Sequence, residues 1–90
     1  PGGPPAGNRL LRRRALCLIR YQIVRQELET PELGRYVSYG IEAVALPGGQ
    51  RLAFVCDVST DASFAADLAD RCTAGALDPA QLLDVVLDAL

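Results

Sequence analysis

Apolar and polar side chains alternate along three stretches of the chain, residues 15–28, 36–46 and 51–58. An alternation with a period of two is typical of strands that bury one face. The connection after the first stretch contains Pro31, and the second connection, residues 47–50, is rich in glycine. Short turns of this kind join neighbouring antiparallel strands. The pattern therefore predicts a three-stranded antiparallel meander with the strand order 1-2-3.

The lengths of the two turns predict a register for this sheet. Ile23 is expected opposite Tyr39, and Leu46 opposite Arg51. In that register the bulky apolar side chains of all three strands lie on one face, which is the predicted core. The expected core residues of the sheet are Ile19, Tyr21, Ile23, Tyr39, Ile41, Phe54, Cys56 and Val58.

After Val58 the apolar spacing changes from that of a strand to that of a helix. Asp61, with its neighbouring hydroxyl residues, is a candidate N-cap, and Gly75 is a natural end for this first helix. Asp78 followed by Pro79 predicts the start of a second helix. The predicted fold class is therefore α+β, a three-stranded antiparallel meander followed by two helices packed on one face.

The second predicted helix is apolar around most of its circumference. Only Gln81, Asp84 and Asp88 form a narrow polar stripe. A helix of this kind needs broad burial, since a surface helix normally shows polar residues over about half of its surface. We therefore expect its apolar surface to be covered by the rest of the domain or by a partner.

The predicted register also gives the sheet face turned away from the helices an apolar character. An antiparallel sheet with one face open to water should be polar on that face. An apolar outer face favours contact with a second copy or with another protein, ahead of cover by the N-terminal segment. The predicted interface residues are Leu16, Leu18, Val44, Leu46, Ala53 and Val55.

The N-terminal segment differs in composition from the rest of the chain. Residues 1–14 are rich in Pro, Gly and Arg and predict a disordered basic arm, whereas residues 15–90 are expected to form a single domain. An arginine cluster on such an arm could bind the phosphates of a nucleic acid. No aromatic residue is interleaved with it and no nucleic-acid reader motif is visible, so a solvated arm is the favoured interpretation. The cluster consists of Arg9, Arg12, Arg13 and Arg14.

The residue types argue against an enzyme. The chain contains no His, which removes the commonest general base and metal ligand. Cys17, Cys56 and Cys72 have no metal-binding spacing and are expected to be buried thiols in a reducing cytoplasm. We therefore expect no catalytic, cofactor-binding or metal-binding residues. No apolar run is long enough for a transmembrane helix, and the predicted location is cytoplasmic.

Three segments resemble a small bacterial family of unknown function. They are Tyr39-Gly40-Ile41, Asp57-Val58-Ser59 and the closing segment 77–88, which is similar to the family's Leu-x-Pro-x-x-Leu-x-Asp-Val-Ile-x-Asp helix. The resemblance covers about residues 18–90. Gln81 stands where members often have His, and Val86 where they often have Ile. The resemblance implies a stand-alone cytoplasmic bacterial domain without an assigned activity, and it supplies no catalytic residue.

Together these observations predict a non-enzymatic protein-binding or regulatory domain. Its expected partner is another protein or a second copy of the chain, with the outer sheet face as the contact surface. The alternative is a nucleic-acid accessory protein that uses the arginine cluster. The slightly acidic net charge of −2 and the lack of a reader motif count against that alternative.

Overall fold

The computed structural model of the protein describes residues 18–90. Its elements follow the predicted order and include one 3-10 turn. The sheet is antiparallel with the order β1-β2-β3, so the predicted α+β meander followed by two helices is confirmed. The elements are β1 (Leu18–Thr30), β2 (Gly34–Leu46), β3 (Gln50–Ser59), α1 (Ala62–Ala74), a 3-10 turn (Pro79–Gln81) and α2 (Leu82–Ala89).

The β1–β2 ladder is regular along its whole length. Ile23 lies opposite Ile41, whereas the turn length had predicted Tyr39 as its partner. The difference arises because Gly34, at φ 67°, closes the hairpin with a three-residue loop. The register is displaced by two residues, and a displacement by an even number leaves every side chain on its predicted face. The assignment of core and outer faces along β1 and β2 is therefore correct.

The β2–β3 ladder contains a bulge that exchanges the two faces of part of β3. Val44 pairs with Arg51, but Ala43 pairs with Ala53, so one extra residue of β3 is accommodated between these pairs. A one-residue bulge moves the side chains that follow it to the other face of the strand, here as far as a second irregularity that precedes the buried Val58. Phe54 consequently lies opposite Glu42 on the outer face. The prediction that Phe54 belongs to the core is wrong for this reason.

The same bulge changes the position of three further β3 residues. Ala53 and Val55 pack against the core, although they were predicted on the outer face. Cys56 is exposed, although it was predicted to be buried. Alternation alone could not reveal the change, because β3 carries apolar side chains on both of its faces.

A second irregularity follows between the pairs Tyr39–Ser59 and Ile41–Val55. Asp57 adopts a φ of 53° here, which is uncommon for a residue with a side chain. Gly40 faces this segment closely: a Cβ at this position would lie 2.7 Å from the carbonyl oxygen of Val55. The strands can approach this closely only because residue 40 has no side chain.

Both helices cover the same face of the sheet. The Asp61 side chain caps α1 by accepting hydrogen bonds from the backbone N–H groups of Ser63 and Phe64. Asp78 also acts as a cap, but the segment it caps is the 3-10 turn, and α2 begins only after that turn. The two caps satisfy backbone N–H groups at the start of α1 and of the 3-10 turn, so each of these segments begins at the capping residue that the sequence predicted.

The core lies between the sheet and the two helices. Tyr21, Ile41 and Val58 are buried in it as predicted, with Ile19 and Ile23 packed at its margin, whereas Tyr39 is only half-buried. The hydroxyl of Tyr21 donates a hydrogen bond to the carbonyl oxygen of Leu77 at 2.5 Å, so the segment between the helices is tied to β1. The buried cluster comprises Tyr21, Ile41, Ala43, Val58, Leu68, Ala69, Cys72, Leu82 and Val86.

Candidate functional site

The predicted apolar interface on the outer sheet face is not present as one patch. Val44 is buried, with 6% of its surface exposed, and Ala53 and Val55 point toward the core. Leu18 is 57% exposed, and Leu46 is half-buried beside it. Leu16, the sixth predicted interface residue, lies outside the described residues. The bulge in β3 removes Ala53 and Val55 from the outer face, and with Val44 buried the predicted patch is reduced to Leu18 and Leu46.

Leu18 and Leu46 border a groove of about 610 Å³ at one end of the sheet. The groove runs between the start of β1 and the segment that connects the two helices, and its lining is mainly apolar. Leu77, which packs against the core, forms part of its floor. The full lining is Leu18, Ile19, Arg20, Leu46, Thr73, Ala76 and Leu77.

The middle of the outer face carries a polar network. Gln22 and Arg51 both donate hydrogen bonds to the carboxylate of Glu42, at 2.6 and 2.9 Å. The bond from Gln22, aided by the Arg51 guanidinium, lowers the pKa of Glu42 below its usual value. The Arg51 guanidinium also stacks 4.3 Å from the centre of the Phe54 ring. This part of the sheet is therefore suited to contact with water.

Near the Tyr36 end of the outer face, Asp57 forms hydrogen bonds with three side chains. Its carboxylate accepts hydrogen bonds from the hydroxyls of Ser38, at 2.6 Å, and Tyr36, at 2.9 Å. Its backbone N–H donates to the side-chain oxygen of Gln26 at 2.8 Å. The side chain and the peptide group of Asp57 are thus both held in place, which stabilises its unusual backbone conformation.

This cluster has the residue types of a catalytic site but not the required accessibility. Ser38 is completely buried, so its hydroxyl cannot reach a substrate. The hydrogen bond to Asp57 raises the pKa of Tyr36, so the phenol keeps its proton and is a poor base. The chain contains no His that could act as a base beside them. The geometry fits a structural clamp that holds the second irregularity of β3.

The thiols and carboxylates of residues 18–90 do not form a metal centre: no group of three or more Cys, Asp or Glu side chains is placed to hold an ion. Cys72 is buried in the core, and burial raises the pKa of its thiol. Cys56 is exposed on β3, far along the chain from any second described thiol. Within the described residues, neither thiol forms a hydrogen bond with a side chain that could act as a base.

The most prominent exposed apolar feature is on α2. Leu83, Leu87 and Leu90 are 54%, 59% and 70% exposed. Leu83 and Leu87, four residues apart, lie along one side of α2, and the C-cap residue Leu90 continues the row directly after Ala89. Leu82 and Val86 lie about a quarter-turn away around the helix, and each is 1% exposed, so they anchor α2 in the core. We name the row Leu83, Leu87 and Leu90 the leucine stripe.

The leucine stripe refines the expectation for this helix. The composition predicted that α2 needs broad burial, and the core provides it on only one side. Asp84 and Asp88 lie beside the stripe and give it an acidic border. The composition could not identify which leucines stay exposed, because nearly every position of the segment is apolar and the choice depends on how α2 sits on the sheet.

The remaining predicted site residues lie outside the described part of the chain. Arg9, Arg12, Arg13 and Arg14 all precede Leu18, the first residue that the structure describes. The nucleic-acid alternative therefore stays a prediction.

Comparisons of the chain with family models, with curated proteins and with solved structures find no match. Within residues 18–90, no helix has the length and apolar character needed to cross a membrane.

Proposed function

We propose that this domain is a non-enzymatic binding module and that it binds a partner protein through the leucine stripe of α2. The observation that carries the proposal is the exposure of Leu83, Leu87 and Leu90, each by more than half, in one row along α2 and its C-cap residue. The polar groups that resemble a catalytic set are occupied in holding β3, which favours binding over catalysis as the role of the domain.

The energetics of the stripe support this role. Complete burial of a leucine side chain stabilises by about 1.5–3 kcal/mol, so covering the exposed parts of the three leucines contributes about 3–5 kcal/mol in total. This contribution is absent in the isolated domain and becomes available when a partner covers the stripe. Association itself costs at least about 4 kcal/mol of lost translational and rotational freedom, so contacts around the stripe must add to this contribution.

The spacing and charge of the stripe define the kind of partner. Leucines separated by four and three residues fit an apolar groove or the side of another helix. The carboxylates of Asp84 and Asp88 favour basic residues at the border of that groove. We therefore propose a partner with an apolar groove or helix face flanked by Arg or Lys.

The test is a comparison of the proteins that copurify with three forms of the full chain from its native cells. The forms are the unaltered protein, the double variant Leu83→Gln/Leu87→Gln and the control Leu33→Gln. Leu33 is 69% exposed at the tip of the β1–β2 hairpin, so its replacement removes a similar apolar area from another surface. Glutamine is a good helix former, and circular dichroism should show unchanged folding of all three forms.

The proposal predicts a protein that copurifies with the unaltered chain and with Leu33→Gln but is lost with the double variant. Retention of the same partners by the double variant would refute the role of the stripe. Equal loss with both altered forms would also count against it, because the effect would then not be specific to α2.

A further inference from the structure

The outer edge of β1 is closed at one position and open beyond it. The N–H of Tyr21 donates a hydrogen bond to the Thr73 hydroxyl oxygen at 2.9 Å, and the same oxygen lies 3.3 Å from the carbonyl oxygen of Tyr21. Thr73 belongs to α1, so the peptide groups of Tyr21 point away from β2 toward the free side of the sheet. At this position α1 occupies the place that another strand would take.

The regular ladder determines which other peptide groups of β1 share this direction. The pairing with β2 runs without a bulge from Leu18 to Thr30. The peptide groups of alternate residues in a strand point to the same side, so those of Ile23, Arg25, Glu27 and Glu29 point outward like those of Tyr21. In the described part of the chain no strand pairs with this edge, because β1 is the first strand of the sheet.

The geometry points to a second copy of this chain as the occupant of that edge. We infer that β1 pairs antiparallel with β1 of the second copy around a two-fold axis at Gln26. In this register Arg25 lies opposite Glu27 of the second copy, and the symmetry repeats the contact. Ile23 lies opposite Glu29 of the second copy, and each of these pairs exchanges two backbone hydrogen bonds.

The charges of Arg25 and Glu27 favour this register over those with the axis one residue earlier or later. A two-fold axis at Arg25 places two arginines opposite each other, and an axis at Glu27 places two glutamates opposite each other. Directly opposite like charges destabilise a strand pair, whereas opposite charges stabilise it. Charged residues often protect an edge from pairing, but here Arg25 and Glu27, which contact each other at 2.9 Å within one chain, have opposite signs and are self-complementary about Gln26, so the exposed pair can exchange partners across the axis.

The two ends of the open edge indicate the same axis, independently of the charges. Thr73 closes the edge at Tyr21, and Pro31, which has no N–H to donate, follows the end of β1. Gln26 is the midpoint between Tyr21 and Pro31. With a two-fold axis at this residue, the open segment of one β1 therefore pairs along its whole length with that of the second copy.

The side of α1 next to the edge leaves space for the second copy. A groove of about 390 Å³ lies beside residues 20–23 of β1 there, and α1 lines it with the small side chains of Ala66, Ala69 and Thr73 and with Asp70. The two-fold axis is perpendicular to the sheet, so the two sheets join into one of six strands with all helices on one face. The leucine stripe is not needed for this pairing, so it is a separate proposal from the partner-binding role of α2.

Sedimentation equilibrium of the full chain at micromolar concentrations tests the pairing. We expect a dimer for the unaltered chain and at least about tenfold weaker association for Arg25→Glu and for Glu27→Arg, because each creates repulsive pairs across the axis. An equimolar mixture of the two variants should dimerise again, since Arg25→Glu then faces Glu27→Arg. The control Glu29→Arg should dimerise normally, because residue 29 faces the uncharged Ile23.

Three results would overturn the inference. The first is a monomeric unaltered chain, and the second is a dimer that is indifferent to Arg25→Glu and Glu27→Arg. The third is a dimer that is lost with Leu18→Gln but kept with both charge variants, which would assign the contact to the Leu18 end of the outer face. As a control, circular dichroism of each variant is used to check that the monomer fold is intact. None of these results depends on the partner-binding test of α2.

Discussion

The replacement Gly40→Ala tests the structural account of the β2–β3 contact. An added Cβ would lie 2.7 Å from the carbonyl oxygen of Val55, 2.8 Å from the ring of Phe54 and 3.0 Å from the side-chain oxygen of Gln26. Carbon–oxygen contacts across a sheet are normally about 3.3–3.6 Å, so β3 must retreat by roughly 0.6 Å. The nearest atom belongs to the backbone and cannot move aside by changing a rotamer.

The magnitude follows from two opposing effects. Overpacking of this kind costs about 1–3 kcal/mol, and the backbone contact favours the upper part of that range. Replacing glycine also restricts the unfolded chain, which offsets about 0.4–1 kcal/mol. We therefore expect the free energy of unfolding to fall by about 2 kcal/mol, with a decrease in Tm of roughly 10 °C for a domain of this size.

Urea denaturation followed by circular dichroism measures this change. Gly75→Ala is the matched control, because φ is −85° there and the added Cβ lies at 3.3 Å from the carbonyl oxygen of Arg71, which requires only a small adjustment. It should change the free energy of unfolding by no more than about 0.5 kcal/mol. Equal stability of Gly40→Ala and Gly75→Ala would refute the close approach of the two strands at Gly40.

Two further predictions concern the core and the outer face. Leu82→Ala should lower the free energy of unfolding by about 2–5 kcal/mol, because Leu82 is 1% exposed in the core; a loss below about 1 kcal/mol in urea denaturation would contradict its burial. Because the pKa of Glu42 is lowered in the folded protein, its ionised carboxylate stabilises the fold above the pKa that it has in the unfolded chain. This stabilisation is lost as the pH falls through the pKa of the folded state. Glu42→Gln should therefore reduce the loss of stability on acidification below about pH 5; an unchanged pH dependence in urea denaturation would contradict the role of this carboxylate.

Most of the sheet could be predicted from the sequence, because a register error of two residues leaves every side chain on its predicted face. The β1–β2 register differs from the expected one by two residues, yet Tyr21 and Ile41 lie on the predicted face. The error in β3 has a different origin. Ala53 and Phe54 exchange faces because of a one-residue bulge, and a strand with apolar residues on both faces carries no pattern that would expose such a bulge.

The candidate site was predictable only in outline. The apolar composition of α2 indicated that the helix needs a cover, but Leu82 and Leu83 are indistinguishable by composition and differ from 1% to 54% in exposure. Their difference depends on how α2 packs on the sheet, with Leu82 turned toward the core and Leu83 turned away from it. The open edge of β1 also depends on tertiary structure, since Thr73 and Tyr21 are far apart in the chain.

Site-specific photo-crosslinking in native cells tests whether the leucine stripe contacts another protein. A photoreactive amino acid replaces Leu87 in the leucine stripe in one sample and Leu33 at the hairpin tip in the other; both positions are well exposed. The account predicts a discrete adduct with a different protein from position 87 and no such adduct from position 33. The absence of an adduct from position 87, or the same adduct from both positions, would contradict it.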